Sequence, residues 1–307
     1  MKTVRDMRLF ILVVLLLAFA PSTALPWGWG AHAYFANRFG AFFGPRNLQE
    51  IYGAVLPDMY AAIPSLSGQD HFYWQTHYNF DEFVHEARPV LPAVGRGFAS
   101  HNEDWGADST AHIQNLTLGI PGEGYVIVKQ NQLVSENTEL FMNITDSLPP
   151  EVAKLVVDRA AHAAVEVAVD LWLKRKQDPA WGARLFLAAS LRDSRIPDLL
   201  VEAYKNEPGI DESVIRNAEA VFRQAAIAYS WAFLHKEEVT VQLLAAQAAD
   251  QLRQDVYLIS GGSYDLVVDP NDLAVILYAA MDLVKDDYSR ELSATLWMIR
   301  ANLYTIW

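Results

Sequence analysis

The segment Leu155–Leu173, LVVDRAAHAAVEVAVDLWL, constrains the fold of this chain more than any other. Read at helical spacing it is apolar around most of its circumference, the mark of a helix buried on several sides. Other elements must therefore wrap around it. Yet His162 and Glu166 lie four residues apart, about 40° from each other on one helical face. An ionised carboxylate in that setting is costly without a compensating partner. A metal ion held by His162, Glu166 and a third ligand would compensate it. So would a His–Glu hydrogen bond, or a polar seam that includes Asp158 and Asp170.

A second stretch poses the same question. Phe98–His112 reads FASHNEDWGADSTAH inside a helix expected from Ala93 to Leu116. At about 100° per residue His101, Asp108 and His112 fall within roughly 20° of one line. Soluble helices normally place aliphatic residues on such a stripe, and Trp105 close to it turns the face inward. Metal coordination would partner these groups; a solvated acidic face is the plain alternative. Asp104 competes with His101 as a ligand, through D-x3-D-x3-H with Asp108 and His112. The chain has no cysteine, so thiolate sites, disulfides and cysteine nucleophiles are excluded. Any metal falls to His, Asp or Glu, and six of the eight histidines lie between His32 and His112.

Residues 1–24 read as a secretory signal. Lys2, Arg5 and Arg8 precede the apolar run Leu9–Ala20, and small residues stand before a cut after Ala24. The 12-residue run is short for a transmembrane helix, which needs ~20 residues. Export with cleavage is the expectation. The formal charge of −13 becomes −15 once three basic residues and one acidic residue are removed with that segment. Such a charge argues against a basic nucleic-acid module and against stable nucleic-acid binding.

The rest of the chain predicts one all-α domain over residues 25–307. A helix follows His32, another spans Asn47–Met59, and Gln69–His85 is aromatic and His-rich. Gly119–Val128 reads as a loop with at most a short strand at GYVIV. A long helix runs from Pro150 to about Lys176, with proline and Glu151 at its start. Further helices are expected near 181–191, 195–205, 211–235, 240–258, 271–284 and 289–305. Breaks fall at Asn206–Gly209, Gly261–Ser263 and Asp269–Pro270.

Taken together, the polar elements resemble the zinc-dependent phospholipase C family, whose superfamily includes the single-strand-specific nucleases. The matching pieces are Trp27 and His32 in W-G-W-G-A-H, Asp58 in GAVLPD, and Thr76-His77-Tyr78. His101, Asp108 and His112 follow, and H-x3-E closes the set at His162 and Glu166. The resemblance covers residues 27–166; the helical extension 178–307 carries no family motif. Three features depart from the family. The central spacing is H-x6-D-x3-H where H-x3-D-x5-H is usual, Leu25-Pro26 precedes the Trp27 whose amine the family uses as a ligand, and the extension is unmatched.

What the resemblance implies is an all-α metal cleft with two to three Zn2+ and phosphodiester hydrolysis. One ion would lie among Asp58, His77, His101 and Asp108, and a second among His112, His162 and Glu166. A third would lie among Trp27, His32 and a bridging Asp108. Asp58 would orient or deprotonate the attacking water. Tyr60, Phe72, Tyr73 and Trp74 could stack on a cationic head group or a base, core packing being the alternative for each. The expected substrate is a phospholipid or another phosphodiester, with transient contact at a membrane surface; no protein partner can be inferred. A nuclease of the same superfamily and a non-catalytic exported metal-binding protein are the rival functions. His71, His85 and His235 are expected at the surface.

Overall fold

The computed structural model describes residues 27–39, 44–63, 66–207 and 210–307, and the expected signal segment lies outside them. No strand occurs among the described residues, so the all-α expectation holds. The helices are α1 (Trp29–Phe39), α2 (Pro45–Val55), α3 (Leu66–His77), α4 (Asp81–Ala87), α5 (Pro92–Ala99), α6 (Tyr125–Glu136) and α7 (Thr138–Thr145). They continue with α8 (Pro150–Trp172), α9 (Trp181–Ser190), α10 (Ile196–Tyr204), α11 (Glu212–Ala232), α12 (Glu237–Ile259), α13 (Pro270–Val284) and α14 (Tyr288–Ile306). A 3-10 segment, Leu56–Ala62, follows α2, and short π-helical turns cover Ser109–Ile113 and Leu173–Gln177. No described helix is long and apolar enough to cross a membrane.

Local chemistry sets several of these boundaries. Proline sits in the first turn of α2, α5, α8 and α13, where its missing N–H costs no helical hydrogen bond. Asp211 and Asp269 cap α11 and α13, accepting from the amides of Val214 (3.0 Å) and Asn271 (2.9 Å). From Trp181 onward the observed helices follow the expected ones to within about three residues, the usual fraying of such boundaries.

The apolar helix α8 is the centre, as its composition requires. It packs against α6, α12, α13 and, through its polar side, α1. A second group forms where α2 crosses α5 and backs onto α9. At that crossing an added Cβ on Gly53 would lie 2.2 Å from the Val94 carbonyl oxygen, and one on Gly97 would lie 2.1 Å from that of Glu50. Only glycine admits this approach, and it brings the end of α5 next to the 3-10 segment that carries Asp58.

Two expectations fail. The central helix is not continuous from Ala93 to Leu116: α5 ends at Ala99 and a loop follows. Asn102 causes the break. Its Oδ1 accepts from the amides of Asp104 (2.8 Å), Trp105 (2.9 Å) and Gly106 (3.2 Å), and its Nδ2 donates to the Ala99 carbonyl (2.6 Å). An Asn side chain thus replaces the helical ladder with a local turn. The loop expected from Gly119 holds as far as Gly124, but the short strand at GYVIV is instead the start of α6. Its β-branched residues favour strand locally, but Tyr125 stacks on Trp27 (5.2 Å between ring centres) and Val126 is buried, so packing decides.

Candidate metal centre

Between α1, the 3-10 segment, α3, the 100–112 loop and α8, the structure gathers eight of the nine expected ligand residues by their side chains. Four overlapping groups each hold ligand atoms within 4.8 Å of one another: His32–His101–Asp108, Asp58–His77–His101, His112–His162–Glu166 and Glu103–Asp108–His112. His101 belongs to two of these groups, Asp108 to two and His112 to two, so the centre is one connected cluster.

The loop that breaks the central helix also builds its core. The amides of Ala107, Asp108 and Ser109 donate back to the carbonyls of Ser100 (2.9 Å), His101 (2.9 Å) and Asn102 (3.3 Å). The chain is folded on itself so that Asp108 Oδ2 comes 2.9 Å from His101 Nε2 and 3.3 Å from His77 Nε2. Its other oxygen, Oδ1, lies 3.2 Å from His32 Nε2. Asp58 Oδ1 is 3.4 Å from His101 Nε2 and 3.8 Å from His77 Nε2. The single-face helix argument for His101, Asp108 and His112 is therefore wrong in mechanism, although the three residues do meet.

Four of the five cluster histidines are each aimed by a bond from the other nitrogen. His101 Nδ1 is 2.7 Å from the Ala54 carbonyl, His77 Nδ1 is 3.1 Å from that of Tyr73, and His162 Nδ1 is 2.9 Å from Gln130 Oε1. His112 Nδ1 is 2.6 Å from Glu103 Oε1. Such anchors fix ring orientation and turn the remaining nitrogen to the centre. Asp58 is held through Oδ2, which accepts from the Trp29 indole at 2.8 Å. The helix bearing His32 is held by Asp170, whose carboxylate accepts from the amides of Gly30 (2.7 Å) and Ala31 (2.8 Å) and from the Tyr229 hydroxyl (2.8 Å). A Cβ on Gly30 would stand 2.5 Å from Asp170 Cγ, which explains the glycine in W-G-W-G-A-H.

Six of the atoms that face inward are buried and lack hydrogen-bond partners. They are His32 Nε2, Asp58 Oδ1, both oxygens of Asp108, Glu103 Oε2 and Glu166 Oε1. Their close approaches to neighbouring nitrogens are not aligned as hydrogen bonds. Buried groups of this kind are rare in folded proteins and each demands an explanation. A cation supplies one: the donor set is all imidazole nitrogen and carboxylate oxygen, and the cluster can hold a metal ion.

Protonation reflects the same crowding. Burial pushes Asp58 up, but the charge of His101 and the close approach of the His101 and His77 nitrogens outweigh it and hold Asp58 at about 2. Asp108 is likewise driven well below the usual range by His101 despite burial. His101 is raised well above its ordinary value, the pull of Asp108 and Asp58 overcoming desolvation. Burial and then the charge of His101 lower His32. Glu166 is raised well above a normal carboxylate by burial and by Asp58, Asp170 and Asp108.

Several expectations are resolved here. Asp104 is exposed and does not replace His101. His71 stands apart, paired with Glu207 at 2.8 Å, while His77 joins the cluster. His85 is exposed, while His71 and His235 are half-buried, His235 against Trp231. Trp27 is fully buried and its indole donates to Thr110 Oγ1 at 2.8 Å. Its expected role as an amine ligand depends on the bond from residue 26, which lies outside the described residues. Phe72 is core and Trp74 stacks on Tyr78. Tyr60 and Tyr73 line a cleft of about 500 Å³ that reaches Glu103, His112 and His162. Glu103, Gln130 and Asp170 are the participants that the sequence reading did not assign.

No family model, curated protein or solved structure matches this chain.

Proposed function

We propose that this chain is a zinc-dependent phosphodiester hydrolase of phospholipase C-like action, working outside the cytoplasm once residues 1–24 are removed. The observation that carries the reading is the linked set of buried, unpartnered ligand atoms opening onto a cleft. Asp58, His77, His101 and Asp108 would hold one ion, His112, His162 and Glu166 a second, and His32 with Asp108 a third, joined by the Trp27 amine if it is free. Mixed imidazole and carboxylate donors suit zinc and are poor for magnesium or calcium, which prefer oxygen alone.

Bound zinc would neutralise phosphate oxygens and lower the pKa of a bound water towards ~7. The chain's own residues do the rest. Asp58, ionised and fixed by the Trp29 indole, presents Oδ1 to orient the proton of an attacking water. Water oxygen bonds to phosphorus as the phosphorus–oxygen bond to the leaving alcohol breaks, and that alkoxide takes up the proton. Tyr60 and Tyr73 wall the cleft and exclude bulk water from the reacting group. Asp70, Glu103 and Asp158 in the same wall disfavour a long polyanion, which favours a lipid over a nucleic acid.

Metal content of the purified protein and hydrolysis of phosphatidylcholine and single-stranded DNA test this together. Two to three zinc per chain, with lipid turnover lost in chelator and restored by zinc, is expected. Turnover of DNA alone would make the chain a nuclease. Zinc without hydrolysis of either would make it a metal-binding protein, and less than one zinc would remove the metal reading.

A further inference from the structure

The central helix α8 has two working faces. At about 100° per residue His162 and Glu166 lie roughly 60° and 20° to one side of Arg159. Ala163, Val167 and Ala164 lie about 40°, 80° and 140° to the other side. The first side faces the metal cluster. The second faces a separate, partly open cavity of about 100 Å³, lined mainly by aliphatic residues such as Leu244 and Leu252 of α12 and Ile276 of α13, together with Gln251 and Asp255. Arg159 lines both this cavity and the metal cleft. It is the only Lys or Arg on the cleft wall, among the described residues, and is tethered to Asp255 at 2.6 Å. A cation therefore stands between a cleft built for a phosphate ester and a slot with alanines in its wall.

Protein interiors are packed to the density of organic crystals, so an apolar void on the central helix of a core this large is conspicuous. Cavities of comparable size lined by aliphatic side chains stay dry and accept small apolar ligands. Apart from Gln251 and the Arg159–Asp255 pair the wall is aliphatic, which suits a largely apolar occupant, and Arg159, shared by both walls, marks where that occupant would enter from the cleft. We infer that the cavity is an alkyl subsite: it takes the first methylenes of a hydrocarbon chain whose phosphate lies in the metal cleft beside Arg159. This rests on the phosphodiesterase reading and extends it, because α12 and α13 then select amphiphilic esters over small hydrophilic ones. At about 30 Å³ per water-sized unit the cavity holds about three or four carbons.

The test is calorimetric titration of the zinc-loaded full chain with n-alkylphosphonates from ethyl to octyl, which have no ester to hydrolyse, and with matched n-alkanols. Burial of each methylene should tighten phosphonate binding about fourfold, equivalent to ~0.8 kcal/mol, until the cavity is full. The double variant A163L/A248L fills the space from α8 and α12 without touching a ligand residue. It should retain zinc and bind ethylphosphonate normally, yet lose the dependence on chain length. Single variants at the same positions, each with a partial loss, serve if the double one does not fold. Affinity independent of chain length in the parent, or a chain-length dependence unchanged in the filled variants, would overturn the subsite. Alkanols that show the same slope and bind as tightly as the phosphonates would leave the alkyl subsite standing and overturn the phosphodiester reading.

Discussion

Glu103 Oε1 lies 2.6 Å from His112 Nδ1, and the Tyr73 hydroxyl donates to the same oxygen. A buried carboxylate thus aims the imidazole that faces His162 and Glu166, joining the broken central segment to α3 and α8. Partners of this type typically contribute 10–100-fold to metal affinity or activity. Glu103→Gln is expected to weaken zinc binding by about that factor, with Tyr73→Phe less damaging because His112 keeps its acceptor. Competition for zinc against a chromophoric chelator measures it. Parent-like affinity in Glu103→Gln would show that His112 is held by packing alone.

Asp108 turns both carboxylate oxygens to the centre, with Oδ1 towards His32 and Oδ2 towards His77 and His101. Asp108→Asn keeps the shape but removes the charge shared between two groups. Zinc content should fall by more than one equivalent and phosphodiester hydrolysis by more than ~100-fold, beyond what an aiming residue contributes. Loss of a single equivalent with the remainder bound normally would mean that Asp108 serves one ion and does not bridge.

Asp170 provides a pH signature separate from activity. Burial raises its carboxyl to about 7, against the opposing hydrogen bonds from Tyr229, Gly30 and Ala31. The folded value lies above the unfolded one, so the folded chain keeps a proton that the unfolded chain releases. Stability from this group is present below pH 4 and is lost as pH rises to about 7, at up to ~1.4 kcal/mol per pH unit. Denaturant unfolding of the chelated protein should therefore show parent stability falling relative to Asp170→Asn across pH 4 to 7. Parallel curves for the two proteins would mean that Asp170 is ionised throughout and acts as a charged cap on α1.

Much of this was legible because side-chain chemistry and helical periodicity are local. The run of apolar residues around His162 and Glu166 announces a buried helix with polar cargo, and α8 is that helix. After Trp181, α10, α11 and α13 are marked by their own cap or proline. What failed depended on competition between local and distant groups. Nothing in the stripe of His101, Asp108 and His112 reveals that Asn102 will capture three amides and end the helix. GYVIV looks extended until Trp27 supplies a stacking partner for Tyr125. Glu103 lies off the helical stripe, and only the loop fold brings it to His112. The extension beyond residue 178 carries no family motif, yet Tyr229 of α11 bonds Asp170, and Phe222 and Tyr229 pack edge-on against the Trp29 ring.

Glu166 separates a metal ligand from a structural acid. Its carboxyl is buried, its Oε1 lies 3.0 Å from His162 Nε2, and burial with the nearby carboxylates raises it well above the ordinary range. Without metal the folded chain therefore favours the protonated form, and this contribution to stability is lost as pH rises through the raised value. Gln mimics that neutral form, so Glu166→Gln in chelator should unfold within ~1 kcal/mol of the parent near pH 4 and compare progressively more favourably as the pH rises. Metal reverses the preference, because a cation needs the carboxylate ionised and its uptake displaces the proton. In zinc, Glu166→Gln should carry about one equivalent less metal and gain less stability from zinc than the parent, with hydrolysis reduced more than ~100-fold. Elemental analysis and thermal unfolding with and without chelator read both halves. Unchanged zinc content with a uniformly more stable protein would assign Glu166 to the fold and leave His112 and His162 without the anion their site requires.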